Sequence, residues 1–484
     1  MFSETPDILP FKSGSKLEFL DSSQIETLKE GTMNLLDEVG VRFPSKKALE
    51  IFSDHGARVD MDTQIVRISP DLVVKGMSTA PRSFILAGRE ERFDLVLDGS
   101  CSYLCTEGCG VHVIDPENGE QRPSCKEDVA QSARISDALP LIGFYWPLVT
   151  AQDRGITAQV HDCHAGLINT LKHVRGGTTM PPYLARHIVE MATVVAGSSE
   201  ELRRRPRINA NICTITPLCQ DKHGIEAALI YAEAGIPVSF MAMPTMGSTA
   251  PATALGALAV GDAEVVSGMV LLQLVFPETP VFHSILVSMM DPRTGDYIAE
   301  HSLPTKLLAT QLGHAWNVPS LGGAGVATDA LDNGWQSGIE GGLHATAIAL
   351  SGAEICGHLG MTAGAMILSP EKFILDHELC MMAYEELRGF DFDETLMALE
   401  VIKHVGPDGH FLMEDHTVKH VRDFRLSSVL HKKDEYGNLR DPLEVALEEF
   451  KRIDKTHQPK PLPNEVLIEL DKIVTSAERD AAKK

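Results

Sequence analysis

From Tyr103 onward the apolar and polar positions repeat one unit: a short β-rich run, a Gly/Pro/Thr-rich turn, then a longer stretch with helical spacing. The unit recurs eight times. The predicted strands are Ser102–Thr106, Ile142–Thr150, Leu167–Val174, Arg207–Cys213, Ile236–Met241, Pro280–Leu286, Val318–Leu321 and His358–Ala363. The helices that follow them fall at Lys126–Ala138, Ile156–Gly166, Pro182–Ala196, Lys222–Ala234, Pro251–Val275, Tyr297–Trp316, Gly334–Ala353 and Pro370–Leu387. Alternation predicts a parallel sheet, and eight units predict its closure into a (β/α)₈ barrel over residues 100–388. In such a barrel the chemistry sits on loops at the carboxyl ends of the strands, so the residues just after each strand are the first candidates.

Residues 1–99 read differently, with helices at Ser22–Val39 and Lys46–His55 and short strands at Val41–Phe43, Val66–Ile68 and Phe84–Ala87. This pattern predicts an α+β accessory cap. Residues 389–484 are helical and increasingly charged, a C-terminal extension expected to fray over Ser476–Lys484.

Composition narrows the partners. The 484 residues are 44% hydrophobic and 23% charged, within the globular range, and the formal charge of −24 disfavours nucleic acid and anionic lipid surfaces. Nine unevenly spaced cysteines do not form a disulfide framework, and Met1–Ser15 lacks the basic start and apolar run of a signal peptide, so a reducing cytoplasm is the expected compartment. The apolar region Ala250–Phe276 is interrupted by Asp262 and Glu264, which predicts a buried barrel helix rather than a membrane span. No phosphate-binding loop, dinucleotide fingerprint or H-E-x-x-H helix is present.

Several strand ends carry candidate chemistry. Phe144-Tyr145-Trp146, leading to Gln152-Asp153, is the most aromatic run in a chain with 6% aromatic residues. Aromatic faces bind ammonium groups, and Asp153 could complete a cage; alternatively the run supplies two core aromatics and one ring facing the outer helices. Glu107, after the first strand, is either a counter-charge for a cation or a helix N-terminal ligand. Thr328-Asp329 precede Gln336 and Glu340, which lie one helical turn apart on one face. The run Gly322-Gly323-Ala324-Gly325 predicts close backbone approach to a ligand, and His283 and His344 are further mouth candidates against the alternative of satisfied core histidines. Cys101, Cys105 and Cys109 with His161-Asp162-Cys163-His164 make zinc conceivable, but no matched pair fixes a tetrahedral site, and no bound metal is expected.

Taken in order, the stretches Leu36–Phe43, Ala80-Pro81 to Gly88-Arg89, Thr106-Glu107-Gly108, Met290–Gly295, Gly322 through Thr328-Asp329 to Gln336 and Glu340, and Val405–Leu412 with His416-Thr417 resemble the trimethylamine:corrinoid methyltransferase family. The similarity runs over roughly residues 20–425. The resemblance implies a barrel methyltransferase that passes a methyl group to Co(I) of a separate corrinoid protein docked over the barrel mouth. The family's trimethylamine enzymes carry pyrrolysine near the seventh strand, whereas Gly322 to Gln336 here holds only standard residues. The chain is thus similar to the members without pyrrolysine, which implies a quaternary-amine donor: glycine betaine, proline betaine, carnitine or γ-butyrobetaine. By this likeness Glu107, Asp329 and Gln336 are the expected catalytic residues. Glu340, in the same motifs, is expected at the substrate, together with Phe144, Tyr145, Trp146, Asp153 and His283, which rest on strand geometry and chemistry alone; Gly322, Gly323, Gly325 and His344 are expected at the corrinoid. A homo-oligomer is expected. Two alternatives stay open: a zinc-dependent methyltransferase or hydrolase on the same barrel, and a non-catalytic betaine-binding protein.

Overall fold

The computed structural model describes residues 4–12, 14–108, 110–299, 303–326, 328–389, 392–424 and 426–484, with backbone only at 323 and 324. Eight parallel strands form its centre: β1 Tyr103–Cys105, β2 Ile142–Tyr145, β3 His173–Thr178, β4 Ile208–Cys213, β5 Val238–Ala242, β6 Val281–Ile285, β7 Leu321–Gly325 and β8 Ile355–Gly357. They pair in the order β6-β5-β4-β3-β2-β1-β8-β7. The ring closes where His283 of β6 bridges Ser320 just before β7, its N–H donating to the Pro319 carbonyl at 3.0 Å.

Each strand is followed by a helix of the outer layer: α1 Lys126–Ala138, α2 Ala158–Asn169, α3 Pro182–Ala196, α4 Lys222–Glu233, α5 Ala254–Val275, α6 Leu303–Ala315, α7 Trp335–Ser351 and α8 Pro370–Leu387. The architecture is the predicted (β/α)₈ barrel. Helix starts follow local chemistry: the Asp221 carboxylate accepts from the Gly224 N–H ahead of α4, and Ser369 accepts from Lys372 with Pro370 opening α8.

Helix α5 is long and apolar enough to cross a membrane by composition, yet 78% of that apolar window is buried inside the fold. It is covered by the N-terminal helices Ser22–Glu38 and Pro70–Met77. Its two acids are absorbed by specific donors. Asp262 receives the Thr32 hydroxyl at 2.6 Å, His283 Nε2 at 2.7 Å and the Trp316 indole N–H at 3.0 Å. Glu264 receives Thr216 Oγ1 at 3.0 Å and the Leu218 N–H at 2.8 Å.

The hairpin Phe84–Leu86 and Leu95–Leu97 caps the amino end of the barrel. Ala87 N–H donates to Pro206 O at 2.9 Å, and Arg89 N–H to Leu171 O at 2.7 Å, just ahead of β4 and β3. Leu86, Leu95 and Leu97 pack with Tyr103, Phe144 and Phe282 in one buried cluster inside the ring.

Several element boundaries differ from the prediction. Leu167 and Ile168 complete α2, and β3 begins only at His173, because a short apolar run cannot distinguish a buried helix end from a strand. β7 extends through Gly325 instead of ending at Leu321, and β8 ends at Gly357, leaving His358 past the strand with φ 65°. Tyr297–Ile298 is not the start of the sixth helix but a short strand paired with Ser288–Met290. The C-terminus is no frayed tail: α9 Pro442–Thr456 is followed by α10 Asn464–Ala481, which buries Leu470, Ile473, Val474 and Ala477. Asp471, Glu478 and Asp480 of α10 meet His164, His161 and His187 at 3.2, 3.0 and 3.2 Å.

Asp262 ties three parts of the chain to α5, and its removal strands three buried donors. Asp262→Ala is expected to lower the unfolding free energy by about 3–5 kcal/mol, measured by urea denaturation.

Candidate functional site

The carboxyl end of the barrel holds a cavity of about 310 Å³ walled by seven of the eight strand ends. Glu107 and Gly108 enter after β1, Trp146 after β2, and Arg175 and Thr178 from β3. Asn211 and Cys213 come from β4, Met241 and Met243 from β5 and its exit, Leu286 after β6 and His358 after β8, while Gln159 and Asp162 of α2 close one side. A wider groove at the amino end is lined by Arg89, Arg207 and Lys460. Its cations are engaged: Arg89 donates to Lys460 O at 2.7 Å, Arg207 to Gly88 O, and Lys460 pairs with Glu90 at 3.3 Å.

The polar groups of the mouth cavity form a short chain of charges. Glu107, buried, lies 3.3 Å from His358 Nε2. Asp162 accepts the Thr150 hydroxyl at 2.7 Å and the Ala151 N–H at 2.8 Å. Burial nevertheless pushes its pKa up to about 6, against those hydrogen bonds and the nearby Arg175. The Arg175 guanidinium lies over the Trp146 ring, 4.5 Å from its centroid, and burial lowers its pKa. Backbone detail places it: the β3–β4 register slips between Arg175 and Gly177, a bulge that re-aims the strand at this point. A Cβ on Gly176 would come within 2.7 Å of Cys163 Sγ, and one on Gly177 within 2.6 Å of Ala210 Cβ, so close packing of α2 and β4 against the strand favours glycine at both positions.

Of the sequence candidates, Glu107 and Trp146 line this cavity. The other aromatics do not. Phe144 points into the barrel floor, edge-on to His173 at 5.7 Å, and Tyr145 faces α1, its hydroxyl donating to Val129 O at 2.9 Å. Alternation along a strand sends neighbours to opposite faces, and the mouth is reached only past the strand's end. Asp153 lies outside the cavity and accepts the Lys126 N–H at 2.8 Å at the start of α1. His283 points outward to Asp262 and is fully buried, and His344 lies beside Lys306 Nζ at 3.4 Å between α6 and α7. Gly322 and Gly325 sit within β7, where an added Cβ would meet Ala353 at 2.7 Å and His358 at 2.2 Å; the close approach they permit is to protein. Gly323 belongs to the same strand.

Asp329, Gln336 and Glu340 form a separate cluster in the β7–α7 connection. Glu340 accepts from the Thr328 hydroxyl, from the Asp329 N–H at 3.0 Å and from Gln336 Nε2 at 2.9 Å, and Asp329 accepts the Ala299 N–H at 3.1 Å. Among the described residues no group of three or more His, Cys, Asp or Glu is arranged to hold a metal; Cys109 lies outside them. Arg175 and His358 are not among the sequence candidates as site residues, and Asp162 enters there only as a conceivable zinc ligand. Arg175 directly follows the predicted strand Leu167–Val174, but a lone arginine after a strand ordinarily reads as solvated, and its lack of a firm acceptor shows only in the folded chain.

The family model described as trimethylamine methyltransferase (MTTB) matches residues 7–481. The chain belongs to this family. It is a methyltransferase built on a (β/α)₈ barrel. Trimethylamine methyltransferase MttB of Desulfitobacterium hafniense (strain DSM 10664 / DCB-2) is 30% identical, over 96% of this chain and 95% of its own length. Glycine betaine methyltransferase of D. hafniense strain Y51 is 30% identical over 84% and 86%. Among solved structures, the monomethylamine methyltransferase of Methanosarcina barkeri matches with a TM-score of 0.50 at 12% identity, covering 98% of this chain and 90% of that one, which shows the shared fold. The family match extends past residue 425 through α10, so the C-terminal helices belong to the common framework.

Because its pKa is raised from 3.8 to about 6, Asp162 holds its proton more tightly in the folded chain than in the unfolded one. Its contribution to stability is full below 3.8 and lost as pH rises through about 6. Asp162→Asn is therefore expected to gain about 2 kcal/mol relative to wild type between pH 4 and pH 7.5, read from urea unfolding across that range.

Proposed function

We propose that this enzyme, in the cytoplasm, takes a methyl group from a small quaternary amine in the mouth cavity and passes it to the cobalt of a separate corrinoid protein. Glycine betaine and related betaines are the leading donors. The observation that carries this reading is the mouth cavity itself: one aromatic ring, two buried acids and a thioether-lined wall, in a chain belonging to the trimethylamine methyltransferase family. Standard residues throughout the segment from Gly322 to Gln336, and the glycine betaine methyltransferase among the relatives, support a quaternary donor.

The chemistry asks little of the protein beyond placement. Co(I) supplies the electron pair that forms the new bond to the methyl carbon. The C–N bond pair stays on nitrogen, which leaves as a neutral tertiary amine without a proton donor. The positive charge is lost as the bond breaks, so a strong anionic grip would oppose reaction. Glu107 meets that limit, since its carboxylate is shared with His358. Met241, Met243 and Leu286 exclude water and offer an adaptable apolar wall to the N-methyl groups.

The rim suits a protein partner. Ile156, Ile215, Met243, Leu255, Leu331 and Trp335 are exposed apolar residues on strand-to-helix connections or at the starts of helices on the mouth side. Glu340 holds the connection that carries Leu331 and Trp335, which gives the Asp329–Gln336–Glu340 cluster a positioning role. The exposed apolar side chains Phe392, Leu412, Met413 and Phe424 support the expectation of a homo-oligomer.

Mixing the enzyme with a panel of betaines and the reduced corrinoid protein encoded nearby is expected to convert the Co(I) absorbance to that of the methylated form. No conversion with any betaine, alongside a partner shown active with another methyl donor, overturns the reading. Glu340→Ala is expected to raise KM for the corrinoid protein about tenfold, roughly one lost rim contact, and to leave the Kd for the amine unchanged.

A further inference from the structure

The mouth cavity contains donors that the protein itself does not use. Arg175 Nε and Trp146 Nε1 are both buried, and neither has a hydrogen-bond partner among the described residues. The one hydrogen bond from the Arg175 guanidinium runs to the Gly177 carbonyl at 3.5 Å, at the limit of such contacts. Other partly buried guanidinium groups have firm acceptors: Arg205 pairs with Asp94 at 2.6 Å, Arg122 with Asp128 at 2.8 Å and Arg134 with Asp454 at 3.0 Å, and Arg89 donates to the Lys460 carbonyl at 2.7 Å. Among the described residues no such ion pair holds Arg175, and the nearby acids are committed elsewhere. Asp162 is held by Thr150 and Ala151, and Glu107 by His358.

We propose that Arg175 is the specificity-determining residue of the cavity: with the Trp146 N–H beside it, it receives the carboxylate of a zwitterionic quaternary amine. The inference rests on the mouth cavity being the amine site. The guanidinium lies over the Trp146 ring, 4.5 Å from its centroid, with its Nε unpartnered among the described residues. A guanidinium with unused N–H donors suits a carboxylate. An unpaired buried guanidinium is costly to keep, and an anionic ligand relieves the cost. A donor carrying only positive charge meets repulsion from Arg175, whereas a betaine brings its own counter-charge. The β3–β4 register shift falls at Arg175, where the strand turns its side chain into the mouth cavity. Glycine betaine, proline betaine and γ-butyrobetaine thus fall inside the accepted class. Choline, dimethylpyrrolidinium and propyltrimethylammonium, their carboxylate-free counterparts, fall outside it.

Calorimetry with these matched pairs tests the assignment without the corrinoid protein. For wild type, at least one carboxylated member is expected to bind about 100-fold tighter than its counterpart. Arg175→Met should erase that ratio by weakening the betaine about 100-fold while leaving the carboxylate-free member unchanged or tighter, and Arg175→Lys should fall between them. Equal binding of both members by wild type, or equal loss of both in Arg175→Met, overturns the proposal. If Arg175→Met does not fold, the wild-type ratio and Arg175→Lys decide on the same terms. Methyl transfer separates the two readings. Discrimination in binding without transfer to an active corrinoid protein leaves the carboxylate site standing and removes the methyltransfer reading. Transfer from choline as efficient as from glycine betaine does the reverse.

Discussion

Everything at the mouth depends on how the barrel is filled from below. A ring of eight strands must pack its interior or collapse, and here the filling is not left to strand side chains alone. Leu86, Leu95 and Leu97 of the amino-end hairpin meet Phe144 and Phe282 inside the ring, and Phe84 stacks on Phe282 with centroids 5.7 Å apart. This raises a solid floor beneath the mouth cavity at the carboxyl end. Phe144 thereby serves the floor, while Trp146, two residues further along the same strand direction, serves the site. The accessory hairpin is in this sense as much a part of the cavity as the loops that rim it.

The same economy governs charge. Within a chain of formal charge −24, buried acids are each tied to named donors: Asp262 to Thr32, His283 and Trp316, Glu264 to Thr216 and Leu218, Asp162 to Thr150 and Ala151. Burial of polar groups is tolerated where their partners are fixed. Against that background the loosely held guanidinium at the mouth stands apart. Satisfied acids in the helical layer hold the scaffold, and an incompletely satisfied cation marks the place where a ligand completes the set.

The barrel was legible because alternation of short apolar runs with helical stretches is a long-range pattern that survives errors in single boundaries. Glu107 and Trp146 were legible for a related reason: both follow strands whose starts were correctly placed. Arg175 follows the predicted third strand directly, but a single arginine at a strand end ordinarily reads as solvated, and only the folded chain shows it over the Trp146 ring without a firm acceptor. His283 illustrates the opposite limit. Its position on β6 was predicted, but the face it takes depends on Asp262 in the next helix and on Trp316 after α6, contacts that no local spacing reveals. The glycine run of β7 reads as close approach to a ligand, whereas at Gly322 and Gly325 the groups that approach are Ala353 and His358, from the neighbouring helix end and strand exit, which no local pattern reveals. His358 itself was placed inside a strand, whereas its positive φ ends one and brings the ring to Glu107.

The cavity wall draws one or a few side chains from each of seven strand exits, and every exit is fixed by ladder bonds to its neighbours rather than by the side chain it presents. Such a wall is modular. A residue at one exit can be exchanged without moving the backbone at the next, so donors of different size or charge are reachable by single steps on an unchanged frame. Diversification of substrate within a lineage then needs no redesign of the barrel, only a new letter at one stave's end.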